Sequence, residues 1–326
     1  MTWRWKLTCA LACVALGLSL PAEAQRPAPT PRIGFLGMDS RMQAEWLAEF
    51  RDGLRALGFE EGRTIGIEYR WAEGRFERLP ELAAELVAIK VDVIVTAAPP
   101  SVRAAQRATS TIPIVITTGA DPVESGLVAS LARPGGNLTG VTNLNVELWQ
   151  KRVELIAELV PQARVIGLLQ NPNNAGAGGS AASAQQAARA KGLQLEILKA
   201  GTEAEIDAAF ATAVQQNIGA LIVGDPLFDS LSKQVVALAA HHHVPTIYIW
   251  RKYVSDGGLI SYGAIFTEAY HHVGIYAGKI LSGAKPADLP VQQSTNFELV
   301  VNLKTAEGLG LTIPPQILAR ADEVIE

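Results

Sequence analysis

Cysteine is almost missing from this 326-residue chain: Cys9 and Cys13 are the two it has, and both fall among the first 13 residues. Residues 1–24 read as a cleavable export signal, with Arg4 and Lys6 at a basic start, an apolar run over 7–20, and Ala22-Glu23-Ala24 as an A-x-A cleavage site. The run is short for a bilayer span. Cleavage near Gln25 would leave no thiol, which excludes disulfides, thiolate nucleophiles and cysteine metal sites from the exported protein. Ala10 stands where a lipid-anchoring signal around Cys13 would carry leucine, so lipoprotein anchoring is not expected and the location implied is the periplasm.

A basic surplus is missing too. Lys and Arg number 28 against 32 Asp and Glu; without Arg4, Lys6 and Glu23 the net charge is about −5, which argues against a nucleic-acid partner. The five histidines are confined to 241–243 and 271–272, late in expected helices, where imidazolium suits the helix dipole. Neither group forms an i, i+4 pair with a carboxylate partner, so no metal site is expected. After residue 24 no apolar run could span a membrane. No Ser-His-Asp or paired-carboxylate constellation has spacing support, so no catalysis is expected.

What is present is one rhythm played twice. Apolar strands are predicted at 32–36, 65–69, 91–96 and 112–116, separated by helices at 44–57, 78–89 and 102–108. Trp46, Phe50, Leu54 and Leu57 share a face of the first helix, which Gly58 stops. In the stretch 117–140, Asp121-Pro122 opens a further helix with Leu127, Val128 and Leu131 inward, ended by Pro134-Gly135-Gly136, and a short strand over 137–141 leaves the first half. A helix with Trp149, Val153, Ile156 and Val160 on one face restarts the pattern. Strands follow at 165–169, 193–198, 220–223 and 245–249, with helices at about 180–190, 205–216 and 231–241.

Such alternation of helices with fully apolar strands predicts an α/β protein of two parallel, doubly wound sheets. The strand at 258–262 reads as a return crossing, followed by a helix over 269–281, and 297–303 as a third crossing. The chain then divides into signal 1–24, extended Pro-rich tether 25–31, a first lobe of 32–141 plus 263–296, and a second of 142–262 plus 297–326. Two lobes joined by a three-crossing hinge close over a ligand by bending. In doubly wound sheets ligands sit beyond the carboxyl ends of the strands, here the loops 37–40, 97–101, 118–121, 170–174, 224–228 and 250–253.

Several runs resemble the ABC-transporter substrate-binding proteins that include the tryptophan- and tyrosine-type (TrpX-like) members: FRDGLRALGFEEG at 50–62, IEYRWAEGRFERL at 67–79, residues 121–140, GGLISYG at 257–263, and 285–291 with 303–326. The resemblance covers nearly the whole exported chain. It implies the type I periplasmic binding protein fold, no catalysis or cofactor, and a membrane permease with its ATPase as partners; a monomer is expected. The chain departs from the family pattern at Lys252, where an acidic residue is common, and at Ala264-Ile265, where a Pro-Asn pair follows Tyr-Gly. The second change removes a polar side chain and points to a less polar ligand.

The loops offer candidates for each part of a ligand. Backbone N–H groups at helix N-termini can hold a carboxylate, which nominates Gly37 and Ser40 before the first helix and Ala97, Ala98 and Ser101 before the third; Ser40 and Ser101 could equally be N-caps. Thr118, Gly119 and Asp121 border the cleft, with Asp121 capping its own helix. Asp225, which follows an apolar strand, is the preferred ammonium acceptor, with a capping role as the alternative. Asn171 and Asn174 add polar groups, although Asn-Pro is also an ordinary turn. Phe228, Tyr248, Trp250, Tyr253 and Tyr262 gather late in the second half of a chain with 6% aromatics. They form a stacking wall for a flat ligand or interlobe packing. The function implied is capture of an amino acid, aromatic by preference, or an aromatic carboxylate, for an ABC importer.

Two alternatives stay open. Gly176-Ala177-Gly178-Gly179-Ser180-Ala181 fits G-x-G-x-x-A, with Glu196 where a ribose-binding acid would lie, as in an NAD(P)-dependent enzyme. Against it, residues 171–175 separate the glycines from the strand end, where the fingerprint needs its tight turn. The other is a sensory ligand-binding domain, although no DNA-binding segment precedes Arg32.

Overall fold

Both faces of a parallel sheet must be covered, and the central strands here are apolar on both sides for that reason. The computed structural model describes residues 30–40, 44–119, 121–143, 145–174 and 177–326. The expected signal with Cys9 and Cys13, most of the expected tether, and Gly176 lie outside them. The first half runs β1 (Arg32–Gly37), α1 (Ala44–Arg55), β2 (Gly66–Trp71), α2 (Leu79–Ala88), β3 (Val93–Ala97), α3 (Pro99–Ala108), β4 (Ile114–Thr118) and β5 (Leu138–Thr142). Its strands pair in parallel in the order β2-β1-β3-β4-β5. Neighbouring residues serve opposite faces: Phe35 packs toward α1, while Leu36 packs with α2 and α3.

The second half repeats this order. It runs α4 (Asn145–Leu159), β6 (Val165–Gln170), α5 (Ala177–Ala190), β7 (Gln194–Lys199), α6 (Glu203–Gln215), β8 (Ala220–Val223), α7 (Pro226–Asp229), α8 (Ser232–His241), β9 (Thr246–Tyr248), α9 (Arg251–Ser255) and β10 (Ile260–Ala264). Strands β7-β6-β8-β9-β10 are parallel neighbours. Helix α10 (Phe266–Leu281) and β11 (Gln292–Gln293) return to the first sheet, where β11 pairs with β5. Then β12 (Phe297–Asn302), α11 (Leu303–Gly308), α12 (Pro315–Leu318) and β13 (Glu323–Ile325) complete the second sheet. The chain thus passes between the sheets three times, near 143, 265 and 294–296. The crossings are bonded together: the Ser294 N–H donates to the Thr142 carbonyl (2.8 Å), the Ser294 hydroxyl to Asn143 Oδ1 (2.6 Å), and the Ile265 N–H to the Asn296 carbonyl (3.3 Å). No described helix is long and apolar enough to cross a membrane.

Several local expectations are corrected. Residues 122–126 form a single turn instead of a helix: Asp121 Oδ1 accepts from the N–H groups of Val123 (2.8 Å) and Glu124 (3.1 Å), and Gly126 at φ +68° ends the turn in a conformation a helix cannot continue. Helix α1 stops at Arg55, so Leu57 is exposed and Leu47 takes its place on the buried face. Helix α3 starts at Pro99, ahead of the expected Val102. Strand β10 stays in the second sheet, so the crossing falls after it, and β12 pairs with it antiparallel, which breaks the all-parallel expectation. The loops after β8 and β9 each wind into one helical turn.

Helix α10 docks on α1 through two glycines. A Cβ added at Gly53 would lie 2.1 Å from the His271 carbonyl oxygen, and one added at Gly274 would lie 2.2 Å from that of Phe50. The backbones therefore touch, and Phe50, Leu54, Tyr270, Val273 and Ala277 fill one core around the contact. A Gly274→Val substitution must push α10 off α1; it is expected to lower the unfolding free energy by roughly 3 kcal/mol, read by urea denaturation.

Candidate functional site

The carboxyl ends of the two sheets border a cavity of about 330 Å³. From the first sheet, the β1 loop brings Gly37, Met38 and Asp39, the β3 loop Ala97, Ala98 and Pro99, and the β4 loop Thr117, Thr118, Gly119 and Asp121. From the second come Asn174 after β6, Gly224 after β8, and Ile249 and Trp250 after β9. Helices complete the lining with Trp46 of α1, Arg103 of α3, Trp149 of α4, Gly179, Ser180 and Ser183 of α5, Asp229 of α7, and Phe266 and Tyr270 of α10.

Seven of the expected site residues line this cavity: Gly37, Ala97, Ala98, Thr118, Gly119, Asn174 and Trp250. Six are placed elsewhere. Ser40 is exposed and off the lining. Ser101 lies inside the first turn of α3, fully buried, its hydroxyl donating to the carbonyls of Ala97 and Ala98. Asn171 is buried, its Oδ1 accepting from the Asn173 N–H (3.0 Å) in a turn. Phe228 is fully buried in the second lobe's core. Tyr262 packs against that lobe's other core and against Phe297. Asp225 sits at the end of β8 as expected, but it is buried off the lining, with Oδ2 accepting from Asn174 Nδ2 (2.8 Å).

From this stretch of the second lobe, the carboxyl group on the cavity is that of Asp229, four residues later on α7. It accepts hydrogen bonds from the Tyr253 hydroxyl (2.9 Å) and Trp250 Nε1 (3.2 Å). Burial raises its pKa to about 7; the hydrogen bond from Tyr253 opposes this shift, and the charge of Asp225 reinforces it. The Tyr253 phenol is itself pushed well up, by burial first and then by Asp229. Among the described residues, Asp39, Asp121 and Glu124 are the other acids on the lining, and Arg103 is the base.

The N-terminus of α3 is a poor anion site. Pro99 and Pro100 have no N–H, and the Ala98 N–H, with Ala98 held at φ +69°, donates to the Thr117 carbonyl (3.2 Å). Helix α5 begins with small residues, and a Cβ at Gly178 or Gly179 would meet nothing within 4 Å. Its first turns therefore face the cavity with little side chain in the way. These residues belong to the glycine run read as a possible dinucleotide motif, so composition flagged the stretch under another chemistry.

The aromatic wall is also largely different from the expected one. Trp46 stacks on Tyr270 (5.5 Å between centroids, 19°) and meets Phe266 (5.0 Å), while Trp250 stands edge-on to Phe266 (3.7 Å, 66°). Tyr248 and Tyr253 stack on each other inside the second lobe (4.7 Å, 9°). Trp46, Phe266 and Tyr270 come from helices distant in sequence, so no local signal could group them. One described cluster has the donors for a cation: Glu49, Asp52 and His271, with ligand atoms within 4.8 Å of one another, partly exposed across α1 and α10 and off the cavity lining. The two helices assemble it, which sequence spacing cannot show.

Residues 35–325 match the model of the ABC transporter substrate-binding protein family. The chain is 28% identical over 263 residues to a tyrosine-binding protein of Clostridioides difficile (strain R20291), covering 80% of this chain and 75% of that one. It is similar to the structure of an ABC domain in complex with L-Trp from Streptococcus pneumoniae, at 28% identity and TM-score 0.84 over 91% of this chain and all of that one. It also resembles a ligand-free, open substrate-binding protein with adhesive properties from Clostridium difficile, at 27% identity and TM-score 0.64 over 90% of this chain and 99% of that one. With the match spanning both sheets and the cavity between them, this chain belongs to the ABC transporter substrate-binding protein family.

Proposed function

We propose that this protein is an exported receptor that captures an aromatic amino acid, or an aromatic carboxylate, by closing its lobes over it, and passes it to an ABC permease and ATPase. The observation that carries the reading is a cavity of about 330 Å³ at the ends of both sheets, walled by Trp46, Trp149, Trp250, Phe266 and Tyr270 and holding the partly buried carboxyl of Asp229. Its volume is at the small end of the roughly 300–1,000 Å³ of ligand pockets, an amino acid's scale. Rings from both lobes can sandwich a flat side chain. The ammonium group goes to Asp229, and the carboxylate to the first turns of α5 with Ser180 and Ser183, with Arg103 at the cavity rim.

The relatives' ligands, L-Trp and tyrosine, support the aromatic class. Closure is supported by two relatives of nearly equal identity: the L-Trp complex superposes at TM-score 0.84, the open, ligand-free protein at 0.64. The division into two lobes belongs to the same reading, with the expected boundaries at 141–142 and 262–263 moved to the ends of β5 and β10, near 143 and 265, and the third at 294–296. The dinucleotide alternative is not favoured: Glu196 lies on β7, bonded by Gln194 Nε2 (2.5 Å), and is off the cavity lining.

A thermal-shift panel of the purified protein tests the class. L-Tryptophan or L-tyrosine is expected to raise the melting temperature, worth about 2.7 kcal/mol at a hundred times the Kd. No shift with any amino acid or aromatic acid would sink the ligand class, and a shift with NAD accompanied by turnover would favour an enzyme. For the ammonium contact, Asp229→Asn is expected to weaken the aromatic amino acid by about tenfold or more, while leaving an aromatic acid without an amine unchanged, by calorimetry.

The raised pKa of Asp229 sets a pH dependence. Between the ordinary carboxylate value of 3.8 and about 7, the folded protein keeps a proton that the unfolded chain releases. Stability of the free protein therefore falls as pH rises through that window and levels off above it. An ammonium ligand needs the ionised carboxylate, so its affinity should rise over the same interval. Urea unfolding and calorimetry between pH 4.5 and 8 should show both trends, and both should flatten in Asp229→Asn.

A further inference from the structure

A guanidinium buried without a carboxylate partner is costly, and among the described residues Arg152 of α4 has none. Its side chain is fully buried. Its Nε donates to the Tyr262 carbonyl (2.8 Å), its guanidinium carbon stands 4.9 Å from the centre of the Trp149 ring, and neither Nη1 nor Nη2 has a hydrogen-bond partner. Burial lowers its pKa, the direction expected when charge is penalised without compensation. Removing a poorly compensated buried ion in favour of an apolar side chain of similar size is often neutral or stabilising. Stability is therefore a poor reason for an arginine here, and its two contacts suggest another.

The contacts join two functional parts. Trp149 lines the cavity, one turn before Arg152 on α4, and it is held close to Gly224, where an added Cβ would come within 2.9 Å of the indole. Tyr262 lies on β10, three residues before the crossing at Ile265, after which Phe266 and Tyr270 of α10 join the cavity wall. Arg152 also follows the first crossing by less than three helical turns. It therefore braces the strand that enters the second crossing against the helix that leaves the first, with the Trp149 ring clamped in the brace.

We propose that Arg152 is a positioning residue that couples the ligand-facing Trp149 to the second interlobe crossing, so that ligand contact and lobe movement are one mechanical event. The coupling rests on the closing-cleft reading above. The planar fork matters: it lies over the indole while Nε reaches the carbonyl, a combination that a lysine ammonium cannot reproduce.

The test has a ligand-free arm and a ligand arm. In the free protein, Arg152→Met is expected to keep or raise the melting temperature, to shift the indole N–H resonance of Trp149, assigned through Trp149→Phe, and to speed amide exchange at Gly263 to Phe266 by about tenfold. An unchanged resonance with unchanged exchange would overturn the brace. In the ligand arm, with L-tryptophan and L-tyrosine as probes, Arg152→Met is expected to weaken binding by about tenfold in the wild-type background and by less than about twofold in Trp149→Phe, the signature of two residues acting through one another. Independent, additive losses would overturn the coupling. Arg152→Lys keeps charge and stem but loses the fork; it should show the same two effects and serves if the methionine variant does not fold. Should neither probe bind wild type, the aromatic amino-acid reading fails, while the free-protein arm still decides the brace.

Discussion

A parallel sheet covered by helices on both faces has only its strand ends left for chemistry, and the rest of this molecule follows from that constraint. Two sheets of the same 2-1-3-4-5 strand order each present their carboxyl ends to one cavity, and three passages of chain hold them there. The passages are joined by Ser294 to Thr142 and Asn143 and by Ile265 to Asn296, so they behave as one strap. The return of α10 to the first sheet depends on backbone contact at Gly53 and Gly274, which also brings Phe266 and Tyr270 to the cavity.

Two charged groups, the partly buried Asp229 and the fully buried Arg152, give the second lobe its character, and neither is explained by stability. Desolvation first, with the charge of Asp225 adding to it, holds the pKa of the Asp229 carboxyl near neutrality. Arg152, behind Trp149, has a carbonyl and a ring for company and, among the described residues, no acid. Each costs the free protein something, and each lies where a ligand or a lobe movement can return the cost.

The strands and their sequence of helices were legible, since buried strands need continuous apolar runs and these stand between clear Gly and Pro stops. The family was legible from runs such as GGLISYG. The cleft was legible by rule: the loops 37–40, 97–101, 118–121, 170–174, 224–228 and 250–253 all come near the cavity. The helix expected after Asp121 failed because Gly126 turns the chain after one turn, and the N-terminus of α3 failed as an anion site because two prolines and a bonded Ala98 leave it few donors.

Local pattern was enough to determine two α/β halves and the strand ends that border the cavity, because burial on both faces of a strand is written in adjacent residues. Which side chains reach the cavity was decided by the folded chain. A single helical turn after β8 puts Asp229 on the cavity in place of Asp225 and sends the Phe228 ring into the core. Helix-to-helix packing brings Trp46 beside Tyr270, and Arg152 against Trp149 and Tyr262. These outcomes depend on the rotational phase of short helices and on contacts between segments far apart in the chain, and no window of sequence contains either.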